Sequence, residues 1–335
     1  MKTWIFAALL AALPLGAAAE CVGRNLMADF TEDERAALDA AADRVPFARG
    51  IFWTASRGEA QIYLVGTYHF DDPRHDQIVA KAGPRIQEAA ALLVEAGPDE
   101  QARLQDEMIR NPGLLIQTEG PNLRELLEDD EWELLTAAMA ERGMPGVMLA
   151  QLRPWYVATM LGLSPCMIAQ VQRDGFDGGL DQRLMGTAQD AGVPVAALEE
   201  WDTVLTVFGG LSPEDEARLI RSALPGAAHA DDYGFTLAEG YFDGDIWALW
   251  ETGRILAERD GDFSTEEIDE QMALVQDLLM DRRNRDWIIP LTEAAESAAQ
   301  DGAHIVAAFG ALHLPGEGGV LNLLQEDGWT IEPWE

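Results

Sequence analysis

The chain has 335 residues, 48% hydrophobic and 24% charged, with 31 Gly and 16 Pro. That is the composition of a folded globular protein, and it excludes a disordered or collagen-like chain. Acidic residues outnumber basic ones 59 to 23, for a net charge of −36. Such a surface repels phosphate backbones and anionic lipid headgroups, which argues against nucleic acid as a partner and leaves a peptide or small-molecule substrate, basic ones included.

Met1 to Ala19 reads as a secretory signal peptide. Lys2 precedes an apolar run from Trp4 to Leu15 that is too short to span a bilayer, and Ala17-Ala18-Ala19 places the expected cleavage before Glu20. Glu20 directly before Cys21 argues against a lipid-modified cysteine. The mature chain, 20–335, is expected to be periplasmic or secreted, without stable membrane insertion, and to form a single domain. The only two cysteines, Cys21 and Cys166, are expected to pair in an oxidising compartment and tie the tail to the body, with two separate thiols as the alternative.

Glu32 to Arg44 reads as a surface helix that ends before Pro46. Ile51 to Ser56 and Gln61 to His69 read as two strands joined by a turn at Arg57-Gly58-Glu59, and Pro84 to Ala90 as a short helix opened by its proline. Ala91 to Glu95 is a compact apolar strand that ends in an acid, and Val193 to Glu199, after a helix over Leu180 to Ala191, is another. Between and beyond them, about 99–190 and 201–299, the periodicity is helical, with blocks separated by Gly or Pro. His304 to His313, Gly318 to Asp327 and Trp329 to Glu332 close the chain as strand, helix and strand. Strands near the start, near Val195 and at the end predict an α/β or α+β fold, with one mixed sheet, flanking helices and a large helical middle.

Two Gly-x-x-His sequences, Gly66-Thr67-Tyr68-His69 and Gly310-Ala311-Leu312-His313, each finish an apolar run and are followed by turn residues. That places both imidazoles at strand ends, where ligands commonly bind and where imidazole serves metal binding and proton transfer alike. A third match, Gly226-Ala227-Ala228-His229, has no strand before it and is set aside. His75 and His304 read as structural or solvated. Glu95 and Glu199 also end apolar strands, where a carboxylate needs a cation, a metal or a donor unless it is simply solvated. Arg153, before Pro154-Trp155, and Arg283, before Asn284, are cations in an acidic chain that suit a carboxylate, a developing oxyanion or a structural salt bridge. Gly-x-Ser-x-Gly, Walker and dinucleotide glycine loops and His-Glu-x-x-His are absent.

In this order and spacing the motifs resemble those of the TraB/PrgY/GumN family, bacterial relatives of the TIKI metalloproteases. The matching segments are Cys21-x-Gly23-Arg24-Asn25-Leu26, Gly66 to His69 with Asp72-Pro73-Arg74, Leu93-Val94-Glu95, and Arg153-Pro154-Trp155. They continue with Leu180-Asp181, Ala197-Leu198-Glu199, Arg283-Asn284 and Gly310 to His313 through Gly328-Trp329-Thr330. The resemblance implies a mixed α/β fold with pseudo-symmetric halves, and an active site where the two Gly-x-x-His strands meet. It also implies a divalent-metal hydrolase, most simply a peptidase. His69, Glu95 and His313 would hold Mn²⁺, Co²⁺ or Zn²⁺, Glu199 would take a proton from the activated water, and Arg153 or Arg283 would meet the developing negative charge. Two further readings stay open: a peptide-, metal- or haem-binding protein without turnover, and a metal-free esterase-like hydrolase built on His and Glu.

Overall fold

The computed structural model describes residues 21–334 apart from 119, 176 and 262. The segment read as a signal peptide, 1–19, lies outside the described residues, as does Glu20. Six strands, β1 (Phe52–Arg57), β2 (Ala60–Thr67), β3 (Leu92–Val94), β4 (Val195–Ala197), β5 (Ile305–Gly310) and β6 (Thr330–Pro333), form one sheet in the order β4-β3-β5-β2-β1-β6. β4, β3, β5 and β2 run parallel, while β1 pairs antiparallel with both β2 and β6. The fold is therefore mixed α/β, and the four parallel strands end at the same edge of the sheet.

The central strands are apolar on both faces, as strands covered by helices on both sides must be. Tyr63 and Val65 of β2, with Val306 and Ala308 of β5, pack on the helices His75–Gln87 and Leu180–Ala191 through Ile78, Ile86, Leu184 and Met185. Ile62, Leu64, Ala307 and Phe309, one position out of step, face Trp287, Leu291 and Ala295 of the helix Arg282–Gln300. A third core lies wholly among the helices of the middle, around Leu123, Leu135, Leu149, Val157 and Ile220.

Three boundaries differ from the sequence reading, each for a local reason. The helix expected to open at Pro84 instead runs from His75 to Gln87 with Pro84 inside it. Gly83, without a Cβ, removes part of the clash that a proline imposes on the residue before it. β2 stops at Thr67 and β5 at Gly310, so His69 lies beyond the strand and His313 in a 3₁₀ turn over Ala311–His313. The apolar run continues through Leu312 and hides that turn. The two Gly-x-x-His segments are thus alike in sequence and different in backbone.

Cys21 and Cys166 form a disulfide across a separation of 145 residues. The tail it anchors is also held without it: Arg24 N donates to Asp232 Oδ1 at 2.8 Å and Leu26 N to Thr236 Oγ1 at 2.8 Å. A disulfide restricts the unfolded chain and typically contributes about 2 to 4 kcal/mol, so replacing both cysteines by serine is expected to cost about 3 kcal/mol. The urea midpoint of oxidised protein and variant measures it; coincident midpoints would show that the tail's packing alone suffices. Among the described residues no helix is long and apolar enough to cross a membrane.

His75 is fully buried against Tyr68, Tyr241 and Phe242, with Nε2 on the Phe70 carbonyl at 2.9 Å and Nδ1 without a partner. Burial lowers its pKa. Below about pH 6.5 the unfolded chain therefore takes up a proton that the folded His75 refuses, and stability falls with pH from there toward the depressed folded value. His75→Phe is expected to flatten this limb in urea midpoints taken between pH 7 and 5. Parallel curves for the two proteins would contradict the assignment.

Candidate active site

The parallel strands bring four predicted side chains to one edge. Glu199 follows β4, Glu95 follows β3, His313 follows β5 and His69 follows β2, in the order in which those strands lie side by side. Gly310 is the pivot. A Cβ on it would stand 3.2 Å from Glu95 Oε1, 3.3 Å from His69 Nε2 and 3.5 Å from His313 Cδ2, so a side chain there would crowd the first two and touch the third. Gly66 is needed for a similar reason: its added Cβ would meet Leu314 at 2.7 Å and Ala311 at 3.0 Å, in the turn that carries His313.

Each imidazole is oriented through its Nδ1. His313 Nδ1 lies 2.6 Å from Asn284 Oδ1, and the buried ring packs at a tilt of 40° against Trp287, with centroids 4.5 Å apart. Because an amide oxygen only accepts, Nδ1 carries the proton and the lone pair is left on Nε2. His69 Nδ1 lies 2.7 Å from Asp181 Oδ2, and the other Asp181 oxygen accepts from Thr67 Oγ1 at 2.6 Å. Asp181 sits in the first turn of the helix Leu180–Ala191, where the helix dipole favours a carboxylate.

Arg283 joins the two acids. Its Nη2 donates to Glu95 Oε2 at 2.6 Å and to Glu199 Oε2 at 3.1 Å, and its Nε to Glu199 Oε1 at 2.5 Å. Nη1 donates to the Leu279 carbonyl at 2.9 Å and lies 3.3 Å from His313 Nε2. Glu95 Oε1 accepts from Gly310 N at 2.6 Å, and Glu199 Oε1 from Trp287 Nε1 at 3.1 Å. Arg283 is in the first turn after a five-residue π-helical segment, Asp277–Asp281, that joins the helices Thr265–Gln276 and Arg282–Gln300. Such segments are frequent at functional sites.

These contacts divide the charges. Burial pushes His313 down to about 3, Glu95 pulling the other way, so the ring is neutral near pH 7. The Asp181 carboxylate pulls His69 up to about 9 against desolvation; the side chain is 53% exposed, so solvent screens part of that attraction. Burial opposes the Glu95 carboxylate, but protonated His313, then Arg283, His69 and the Gly310 N–H outweigh it and hold the carboxyl down to about 2. Glu199 is shifted up, because burial there exceeds what Arg283 gives back.

Arg153 is placed elsewhere. Its Nε donates to the Gly113 carbonyl at 3.0 Å in the helical middle, and its charge acts on Glu216. Asp181 and Asn284, which orient the two imidazoles, stand outside the set of candidates drawn from sequence. The signals for them are an acid one residue inside a helix start and an amide beside Arg283.

Among the described residues no three His, Cys, Asp or Glu side chains are arranged as a metal-holding group. The donor chemistry of this edge nevertheless suits a divalent ion. His69 Nε2 and Glu95 Oε1 crowd the same point above Gly310, His313 stands beside them, and an oxygen behind each ring fixes it, as in metal-ligating histidines. Arg283 is the competitor, since it already holds Glu95 Oε2 and approaches His313 Nε2. The TraB/PrgY/gumN family model matches residues 51–333. No curated protein matches the chain.

Proposed function

The chain belongs to the TraB/PrgY/gumN family, and on that premise we propose that it is an exported metal-dependent hydrolase, acting on peptide bonds at the edge formed by His69, Glu95 and His313. The observation that carries this reading is the pair of imidazoles with Nδ1 held by Asp181 and Asn284 and Nε2 left to serve a common centre. A divalent ion held by His69, Glu95 and His313 would supply Lewis acidity and lower the pKa of a water at neutral pH. The chain's own residues do the rest. Asp181 and Asn284 fix ring orientation and tautomer. Glu199, with both oxygens on Arg283 and one also on Trp287, positions the guanidinium, and its Oε2 keeps a lone pair for a proton, in keeping with its raised pKa. Arg283 faces the edge as the charge nearest to a developing oxyanion. Export rests on the signal-like segment 1–19 and on the disulfide.

A specific observation favours a second reading. The two histidines are shifted in opposite directions, His313 to about 3 and His69 to about 9, which is how a base and an acid are set apart at one pH. Without a metal, neutral His313 would take the proton of a water through Nε2 and protonated His69 would donate from its own Nε2. Elemental analysis of the mature protein, beside a peptide-library digest and mass spectrometry of its products, separates the two. One divalent ion per chain and hydrolysis that stops after chelation and returns on adding Mn²⁺, Co²⁺ or Zn²⁺ is the expected result. Hydrolysis that survives exhaustive chelation selects the metal-free mechanism, and no hydrolysis under any of these conditions rejects both.

A further inference from the structure

The sheet has two outer strands, β4 and β6, and they are finished differently. Main-chain groups of successive strand residues point to alternate sides, so the bonds on the inner side show which residues face outward. On β6, Trp334 N donates to the Phe52 carbonyl at 3.1 Å, so the main chain of Thr330, Glu332 and Trp334 faces β1 and that of Ile331 and Pro333 faces outward. Pro333 has no N–H, and that edge is blunted, as natural sheet edges usually are. On β4, the Pro194 carbonyl accepts from Leu92 N at 2.9 Å and Leu198 N donates to the Val94 carbonyl at 2.7 Å, so 194, 196 and 198 face β3 and Val195 and Ala197 face outward. Neither outward residue is a proline or a charge, and no other described residue bonds the N–H or the C=O of either.

The free edge of β4 thus offers two donor–acceptor pairs on one side, one strand repeat or roughly 6.6 Å apart. The group that meets all four in register is the main chain of an extended peptide, which has the same repeat. The position of this edge links it to the chemistry. β4 runs through Leu198 directly into Glu199, whose carboxylate holds Arg283. Between a segment added to β4 and the point above Gly310 lie β4 and β3. At about 4.8 Å per strand that is three spacings, about 14 Å, which an extended chain covers in about four residues.

We propose that β4 is the substrate-binding edge: a peptide adds to it as a further strand through Val195 and Ala197, then crosses the carboxyl ends of β4 and β3 to the catalytic edge. The substrate is accordingly an extended, unfolded polypeptide segment recognised through its main chain, not through one particular side chain. The proposal rests on the peptidase reading for the cut, and the binding is measured without turnover.

Binding is read by residue-resolved amide hydrogen exchange on mature His69→Ala protein with its disulfide intact, so that no peptide is consumed. The probe is a millimolar pool of acetylated, amidated hexapeptides randomised over alanine, leucine, serine and lysine. The control pool is N-methylated at every residue, which keeps the side chains and removes the donors. The Val195 and Ala197 amides are expected to exchange about threefold or more slowly with the probe and unchanged with the control, while Ala196 and Leu198, already bonded to β3, do not respond. No slowing overturns the proposal. So does slowing that needs no peptide and grows with protein concentration, which would mean that the edge pairs with a second copy of the chain.

Turnover is read separately, on a dodecapeptide that the parent protein cleaves. Single N-methylations are expected to lower kcat/KM about tenfold at two positions two residues apart, about four residues from the cut, and less than twofold at the position between them. A sensitive pair before the cut means a peptide parallel to β4, and one after it an antiparallel peptide. Ala197→Pro removes one outward N–H, leaves the β3 ladder intact, and is expected to lower kcat/KM about tenfold. Val195→Pro does the same and is the second variant should Ala197→Pro not fold. Protection of Val195 and Ala197 without any hydrolysis keeps the edge assignment and rejects the hydrolase. Hydrolysis with a flat N-methyl scan and kcat/KM unchanged in both proline variants rejects the edge assignment and keeps the hydrolase.

Discussion

Arg283→Met is expected to destabilise the protein by about 3 to 5 kcal/mol at neutral pH, the cost of stranding buried charges that have lost their partner. The guanidinium is 14% exposed and binds Glu95 and Glu199 together, and their side chains are 19% and 9% exposed. Methionine keeps much of the volume and removes every donor, so two carboxylates would remain at one sheet edge with Gly310 N and Trp287 Nε1 as their remaining donors. Glu95 is now held down in part by Arg283, and Glu199 is already raised by burial. Without the cation the Glu95 value rises, and that of Glu199, already above the ordinary glutamate value, rises further. An acid with a raised folded pKa costs stability above that pKa and stops doing so once protonated, so the penalty of Arg283→Met is expected to shrink as pH falls from 7.5 toward 5. Urea midpoints of protein and variant across that range measure it. A penalty below about 1 kcal/mol, or one constant with pH, would mean that the triad is solvated in solution.

The same triad shows what could and could not be read without coordinates. Strand positions are legible because each strand is a short apolar run bounded by turn chemistry, and Gln61 to His69 or His304 to His313 errs by one residue at its start and by two or three at its end. The error at the end has one cause: an apolar residue such as Tyr68 or Leu312 continues the strand pattern whether or not the backbone has already turned. That four strands run parallel and adjacent is a property of crossover connections through the helical middle, which periodicity does not encode. Once they do, Glu95, Glu199, His69 and His313 meet of necessity, because each closes its own strand's apolar run. Arg283 and Arg153 are indistinguishable as sequence, each a cation beside a helix start. What separates them is that the helix Arg282–Gln300 packs directly on β2 and β5, while the helix Pro154–Gly162 belongs to the core around Val157 and Leu161. The partners behind the histidines, Asp181 and Asn284, are present in the motifs but carry no role there, since an orienting residue is defined only by what it touches.

Those orienting contacts give the other large expected effect. His69→Ala and His313→Ala are each expected to lower hydrolysis about 10³-fold or more, and the double variant to lose no more than either single one, because two groups that serve one centre fail together. Their stability costs should differ. His313 is buried, packed against Trp287 and bonded to Asn284, so its removal leaves a cavity and an unpaired amide oxygen, worth about 2 to 3 kcal/mol. His69 is mostly exposed, and Asp181 keeps Thr67 when the ring is gone, so that variant should unfold within about 0.5 kcal/mol of the parent. A stable but inactive His69→Ala thus separates chemistry from fold in a way His313→Ala cannot. Asp181→Asn sharpens the comparison: it retains an oxygen for one neighbour while removing the charge that pulls the His69 pKa upward. If His69 acts as a protonated acid, the falling limb of the pH–rate profile should move to lower pH in Asp181→Asn. If it acts through a neutral Nε2 toward a metal, the same substitution should weaken metal affinity tenfold to a hundredfold. Activity losses that multiply in the double histidine variant, or a His69→Ala protein retaining more than a tenth of its activity, would show that the two Gly-x-x-His segments do not act as one centre.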